Sequence, residues 1–278
     1  MSNTAYPRLR RYLLPLIGVL VAVVFLAPYV VMLLDSLRSS GEVLQSPPTF
    51  LPRHWQVTAY SQILGDTRFR HWLATSLLVA VASTAIVLAV SVPAAYFTAR
   101  VRFPGRTAFL FLVLITQMFS PTSLVVGLYR EFFEANLVNT YLAIILTNAA
   151  FNLAFAVWIL HGFFTAIPVE VEEAAELDGC GRVGTLLRIM LPLALPGAVT
   201  ATIFAFIAAW NEYVVALTLM QDDARKPLTV GISSYVTGYE QNWDQLFAAS
   251  IVAVVPVVIL FAVIEKHLVG GLTAGSVK

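Results

Sequence analysis

The chain has 278 residues, of which 59% are hydrophobic and 12% charged, with a mean hydropathy of +0.80 and a formal net charge of +1. Soluble domains carry about 25% charged residues, so half that amount points to lipid as the main solvent. Near-neutral charge without a Lys/Arg-rich run excludes a nucleic-acid surface, and the single cysteine, Cys180, excludes an intrachain disulfide and a cysteine-built metal site. HExxH is absent as well, and His54, His71, His161 and His267 lie far apart.

Six stretches are long and apolar enough to cross a hydrocarbon core as helix, which takes about 20 residues. They are residues 13–34, 73–97, 107–128, 141–163, 197–220 and 247–269. Their length and lack of polar/apolar alternation predict helices rather than a barrel. Arg8, Arg10 and Arg11 before the first stretch resemble the start of a signal peptide. The apolar run is too long for that and ends in Met32-Leu33-Leu34-Asp35 with no small-residue cleavage site, so it reads as an uncleaved span. Residues 35–72 follow, with Ser46-Pro47-Pro48 and Leu51-Pro52 predicting extended chain.

The second span leads into a short loop holding Arg100, Arg102 and Arg106. Gln117 and Ser120-Pro121-Thr122-Ser123 interrupt the third, and Asn148 and Asn152 share a face of the fourth, with His161 near its end at the interface. The fifth contains Trp210-Asn211-Glu212-Tyr213. An even span number puts both termini on one side, and the arginines of the tail and the short 98–106 loop place that side in the cytoplasm, along with residues 164–196. The expected fold is all-α, a polytopic integral membrane protein with six transmembrane helices. Its expected organisation is a tail, first span and outer loop over 1–72, a membrane domain over 73–269 with a loop at 164–196, and a cytoplasmic tail over 270–278.

Pro168 suits the first turn of a helix, and Glu170, Glu172 and Glu173 complement its positive end. Ala174, Ala175 and Leu177 continue it, and Gly179 is a natural stop. After a turn, Thr185–Met190 can form a second short helix, with Pro192 and Pro196 punctuating the return to the membrane. Two readings compete: a helix on the lipid headgroups, or one docked into a soluble partner. Interfacial helices are normally rich in Lys and Arg, whereas this one carries Glu170, Glu172, Glu173, Glu176 and Asp178. The small Ala174-Ala175 surface allows close approach by another body, which favours docking.

The spacing Glu173-Ala174-Ala175, Gly179, Ile189, Leu191 and Pro192 resembles the E-A-A-x3-G-x9-I-x-L-P signature of permease subunits of binding-protein-dependent ABC importers, and every position matches. The Trp210–Tyr213 block and the ending Gly271-Leu272-Thr273-Ala274-Gly275-Ser276-Val277-Lys278 are similar to the carbohydrate branch, specifically the MalG-like half of maltose-type permeases. Relatives commonly end Val-Lys-Gly, where this chain has Val277-Lys278. The resemblance implies a multi-pass subunit of a bacterial or archaeal cytoplasmic membrane. It implies a homologous sister permease, two copies of a cytoplasmic ATPase and an extracytoplasmic solute-binding protein as partners, in a lipid bilayer. Glu173, Ala174, Ala175, Gly179, Ile189, Leu191 and Pro192 would then form coupling helices in a cleft of the ATPase. Gly275, Ser276, Val277 and Lys278 would reach toward the ATPase dimer. No cofactor is expected on this chain, ATP and Mg belonging to the ATPase.

Gly179-Cys180-Gly181-Arg182-Val183-Gly184 fits G-x-G-x-x-G, but what precedes it is helical and the next acid is Glu212. A P-loop would need lysine where Thr185 stands. The chain is therefore not expected to be an enzyme. Gln117, Ser120, Asn148, Asn152, Asn211 and Glu212 are the polar groups of a candidate translocation path, with Phe119, Trp210 or Tyr213 covering apolar sugar faces. The same amides also suit interhelical hydrogen bonds. An intramembrane carboxylate is a functional candidate by default. In maltose-type importers the sister permease supplies most sugar contacts, so this subunit is also expected as a wall of the path. Rival functions are a glycerol-phosphate or polyol importer permease, and an ion-coupled secondary transporter with Glu212 as its coupling site.

Overall fold

The computed structural model describes residues 6–47, 49–236 and 242–273, with side chains described within these from Leu13 to Ile264. The elements are helical throughout: α1 (Tyr6–Ser36), α2 (Ser40–Val43), α3 (Thr58–Gly65), α4 (Thr67–Arg100), α5 (Arg106–Thr116), α6 (Pro121–Glu134), α7 (Tyr141–Ala166), α8 (Val169–Leu177) and α9 (Arg182–Thr185). A π-helical turn over Leu186–Met190 leads to α10 (Leu191–Leu193), α11 (Leu195–Trp210) and α12 (Val214–Leu219). A 3-10 turn at Asp223–Arg225, α13 (Leu228–Ser233) and α14 (Trp243–Thr273) complete the order.

Among the described residues, four unbroken helices are long and apolar enough to cross a membrane: Leu13–Ser36, Thr67–Arg100, Tyr141–Ala166 and Trp243–Ile264. Two bent pairs bring the number to six if each is one span, one joining Arg106–Thr116 to Pro121–Glu134 at 93° and one joining Arg182–Leu193 to Leu195–Trp210 at 81°. The expected third span is thus broken. Pro121 disfavours the helical region for the residue before it, and Ser120 sits at φ −74°, ψ 133°. The expected fifth span is shorter than the sequence suggested. Its helix stops at Trp210, and Asn211, Glu212 and Tyr213 separate it from α12.

Thr67–Gly231 with Ala253–Lys278 forms one compact unit. Its core is the contact of α4, α7 and α11, where Val87, Ala95, Ala156, Leu160, Phe164, Ala201 and Ala205 are buried together. Alanines at these seams let backbones approach closely, the main route to cohesion where lipid offers no hydrophobic contrast. Gly197 takes this furthest: a Cβ there would lie 2.5 Å from the Phe163 ring. Leu186 and Met190 of the π turn join the same core, so the second half of the 164–196 loop is anchored in the bundle.

Met1–Asp66 with Ile232–Val252 forms the other unit. None of the apolar window of α1 is buried within the chain. Within residues 35–72, Pro47 and Pro52 lie in the irregular stretch between α2 and α3, as the sequence suggests, and the flanking residues form α2, α3 and the start of α4. Polar pairing holds that stretch: the Ser36 hydroxyl meets the Tyr60 hydroxyl at 2.7 Å, and Arg38 Nη2 donates to the Thr49 carbonyl at 2.7 Å. The Arg53 amide donates to Glu42 Oε1 at 2.7 Å.

Candidate functional site: a tethered elbow and a polar cavity

The elbow starts at α8. Leu177 ends the helix, and Gly179 follows with φ +82°, a left-handed conformation that costs a residue with a Cβ about 1–2 kcal/mol. The Gly179 amide donates to the Glu176 carbonyl at 3.0 Å and the Cys180 amide to the Ala175 carbonyl at 3.0 Å. This pair of bonds is a Schellman stop, which satisfies carbonyls the helix end would leave open.

The second arm begins at Arg182, earlier than expected, and runs on through Leu193. Pro192 does not interrupt it. Lacking an N–H, its ring would crowd the carbonyl four residues back, and the wider π turn immediately before it relieves that crowding. Pro196 lies in the first turn of α11, where a missing amide is harmless.

The elbow has two faces. Inward, Ala175 is buried, contrary to the expectation that Ala174 and Ala175 share an open surface, while Ala174 and Glu173 are exposed. The inward face also carries Glu172. Its Oε1 accepts from the Tyr96 hydroxyl, and its Oε2 lies 2.8 Å from Arg100 Nε, with side chains 11% (Arg100) and 15% (Glu172) exposed. Arg100 Nη2 further donates to the Ile167 carbonyl at 2.9 Å, at the end of α7. One arginine therefore ties α4, α7 and α8 together.

Outward, Leu177 is 89% exposed and Val183 70%, with Val169 and Leu187 also open, beside the exposed acids Glu170, Glu173, Glu176 and Asp178. Ile189 and Leu191 are half-buried and Pro192 is exposed. Arg100, Arg102, Arg106, Glu172, Glu173 and Glu176 line a recess of about 470 Å³ beside α8. The Tyr96–Glu172–Arg100 cluster escaped the sequence reading. The signal was there, an arginine-rich loop and an acidic helix on the same side, but nothing in the spacing said which pair would meet.

A second site lies deeper. Gln117, Ser120, Asn148, Asn152 and Glu212 line one cavity of about 250 Å³ with Phe119, Pro121, Thr147, Phe151, Ala208 and Val215. Breaks in two spans build it: the α5–α6 bend supplies Gln117, Phe119, Ser120 and Pro121, and the α11–α12 break supplies Glu212. Asn211 is exposed and does not line it. Trp210 points elsewhere, stacked on Phe206 at 5.8 Å with its indole N–H donating to the Ala253 carbonyl at 3.2 Å. Thr147 and Phe151 were missed because nothing distinguishes them within an apolar helix.

Glu212 has structural work of its own. Oε1 accepts from the Val215 amide at 2.7 Å and Oε2 from the Ala216 amide at 2.8 Å, closing the start of α12. Thr229 Oγ1 donates to the Glu212 carbonyl at 2.7 Å. The carboxylate thus lets the helix restart after its break. Asn148 Nδ2 donates to the Ile144 carbonyl at 3.1 Å and Asn152 Nδ2 to the Asn148 carbonyl at 2.8 Å, both within α7. Gln117 Nε2 donates to the Phe151 carbonyl at 3.0 Å. Gly275, Ser276, Val277 and Lys278 lie outside the described residues.

The family described as binding-protein-dependent transport system inner membrane component matches residues 91–273, more than half of the chain. The chain belongs to this family. The permease is 36% identical over 253 residues to the sulfoquinovosyl glycerol transport system permease protein SmoH of Agrobacterium fabrum, covering 91% of this chain and 89% of that one. It is 34% identical over 274 residues to the trehalose/maltose transport system permease protein MalG of Thermococcus litoralis, covering 97% and 98%. The diacetylchitobiose uptake system permease protein NgcG of Streptomyces coelicolor is 32% identical over 262 residues, covering 94% and 86%. Among solved structures, a chain of a bacterial ABC transporter involved in import of the acidic polysaccharide alginate superposes with a TM-score of 0.81 at 23% identity, covering 96% of this chain and 99% of that one. That likeness is one of fold. The permease is a multi-pass membrane protein of an ABC transport system, and the matched signature at Glu173–Pro192 lies on the elbow.

Proposed function

We propose that the permease forms half of the translocation path of an ATP-driven importer for a carbohydrate, and that its elbow is gripped by a cytoplasmic ATPase. The observation that carries this reading is the two-faced elbow. Its outer face offers bare leucine and valine ringed by acids, a surface that anionic headgroups repel and a soluble protein pocket can cover. Its inner face is locked to α4 and α7 through Glu172, Arg100 and Tyr96. A body that is held on one side and gripped on the other transmits rigid-body displacement.

ATP and Mg belong to two copies of that ATPase, and this chain needs no cofactor. A homologous sister permease completes the path, and an extracytoplasmic binding protein delivers the solute. Both termini and the elbow lie in the cytoplasm, as the arginines of the tail and the 98–106 loop support. Carbohydrate is supported by the names of the relatives and by a cavity that combines amides with the rings of Phe119 and Phe151. Its volume, about 250 Å³, falls just under the usual ~300–1,000 Å³ of small-molecule sites, as suits a half-site that a second subunit closes.

The test is uptake into proteoliposomes holding the permease with its sister subunit, ATPase and binding protein. Labelled sugar should accumulate only with ATP, on the ATPase side, and ionophores should leave the rate unchanged. Accumulation driven by an ion gradient without ATP would instead establish the secondary-transporter function.

A further inference from the structure

The cavity lining carries a charge signature that the relatives' names do not supply, since these span trehalose/maltose and an acidic polysaccharide. Gln117, Asn148 and Asn152 each turn their amide nitrogen onto a backbone carbonyl. Thr147 donates its hydroxyl to the Ala143 carbonyl at 2.8 Å. Among the described residues the three amide oxygens have no protein partner. Each amide uses only one of its two N–H groups in this way, so donors and acceptors both remain for the hydroxyls of a guest, with the Ser120 hydroxyl beside them, while the Glu212 carboxylate adds acceptors only. No Lys, Arg or His is among the lining residues. On this subunit a solute meets amide donors and acceptors and one acid, with no cation to balance a second negative charge.

We infer that this cavity admits neutral, hydroxyl-rich solutes and turns away anionic ones, so that within the carbohydrate reading on which the inference rests, the cargo is an uncharged sugar. Hydroxyls donate to the amide oxygens, and Phe119 and Phe151 cover the C–H faces. A uronate, sulfonate or phosphate would bring a second anion into a confined, low-dielectric space beside Glu212, where like charges repel far more than in water. Such groups are held elsewhere by arginine or lysine, and the lining has neither.

The experiment measures ATP-driven uptake by the complete complex of maltose, trehalose and diacetylchitobiose beside a mannuronate disaccharide and glycerol 3-phosphate. At least one neutral sugar should enter tenfold faster than either anion. Gln117→Lys, which adds a cation to the lining, should narrow that ratio at least threefold. Ser120→Lys, in the exposed break, replaces it if the first variant fails to assemble. An anion carried as fast as every neutral sugar overturns the inference. So does a ratio that the added cation leaves unchanged, because selection would then reside outside the cavity. Failure of all five probes to enter, with ATP hydrolysis intact, would instead bring down the carbohydrate function and this inference with it.

Discussion

Glu212 and Gly179 show how single residues set the local geometry. Both oxygens of Glu212 are occupied by amides of α12, so losing them weakens the restart of that helix. Glu212→Ala should lower stability by about 0.5–2 kcal/mol, the range for lost caps. Glu212→Gln keeps one acceptor and should lose less. Thermal unfolding of the purified permease checks this, and equal losses for the two variants would deny the carboxylate its capping role. Gly179 has open space around it, so only its positive φ restricts substitution. Gly179→Ala should preserve assembly while raising the ATP consumed per solute moved. Gly179→Asn should do so less, because asparagine tolerates the left-handed region. The opposite order would mean that the turn's shape is unimportant.

Between elements, the contacts that matter are a buried ion pair and a close approach. Removing one partner of a buried pair leaves an uncompensated charge and costs about 3–5 kcal/mol, whereas replacing both with apolar groups is often neutral. Arg100→Met and Glu172→Met should each destabilise strongly, and the double variant should recover stability yet still waste ATP, because α8 is no longer tied to α4. Normal coupling in a stable double variant would show that the tie is only structural. Gly197→Ala should cost about 1–3 kcal/mol by overpacking against Phe163, and Phe163→Leu should restore part of it. The stop at Gly179 was legible in the sequence because glycine punctuation is a local property. Glu172 was not, because Glu170, Glu172 and Glu173 look alike to a helix dipole, and its partners Tyr96 and Arg100 lie on a distant helix. The break at Glu212 was hidden by the apolar residues that continue on both sides of it. The prolines at Pro121 and Pro192 were visible, but one bent its helix and the other was absorbed by a π turn.

For the whole molecule, breaks and ties divide the work. Unbroken α4 and α7, joined to α11, form a stiff frame. The interrupted segments supply a polar cavity on one hand and a two-faced elbow on the other. The order of the apolar helices was legible from hydropathy, because lipid demands long apolar helices, and their number reaches the expected six when each bent pair is one span. How those helices are bent depended on contacts that composition does not encode. The central claim is that a nucleotide-driven partner holds the outer face of the elbow. A photo-reactive residue at Leu177 in membranes carrying the complete complex tests it most directly. The expected result is a cross-linked band of permease plus ATPase whose yield changes when ATP is trapped on the ATPase. Cross-links to phospholipid alone, in every nucleotide state, would contradict it.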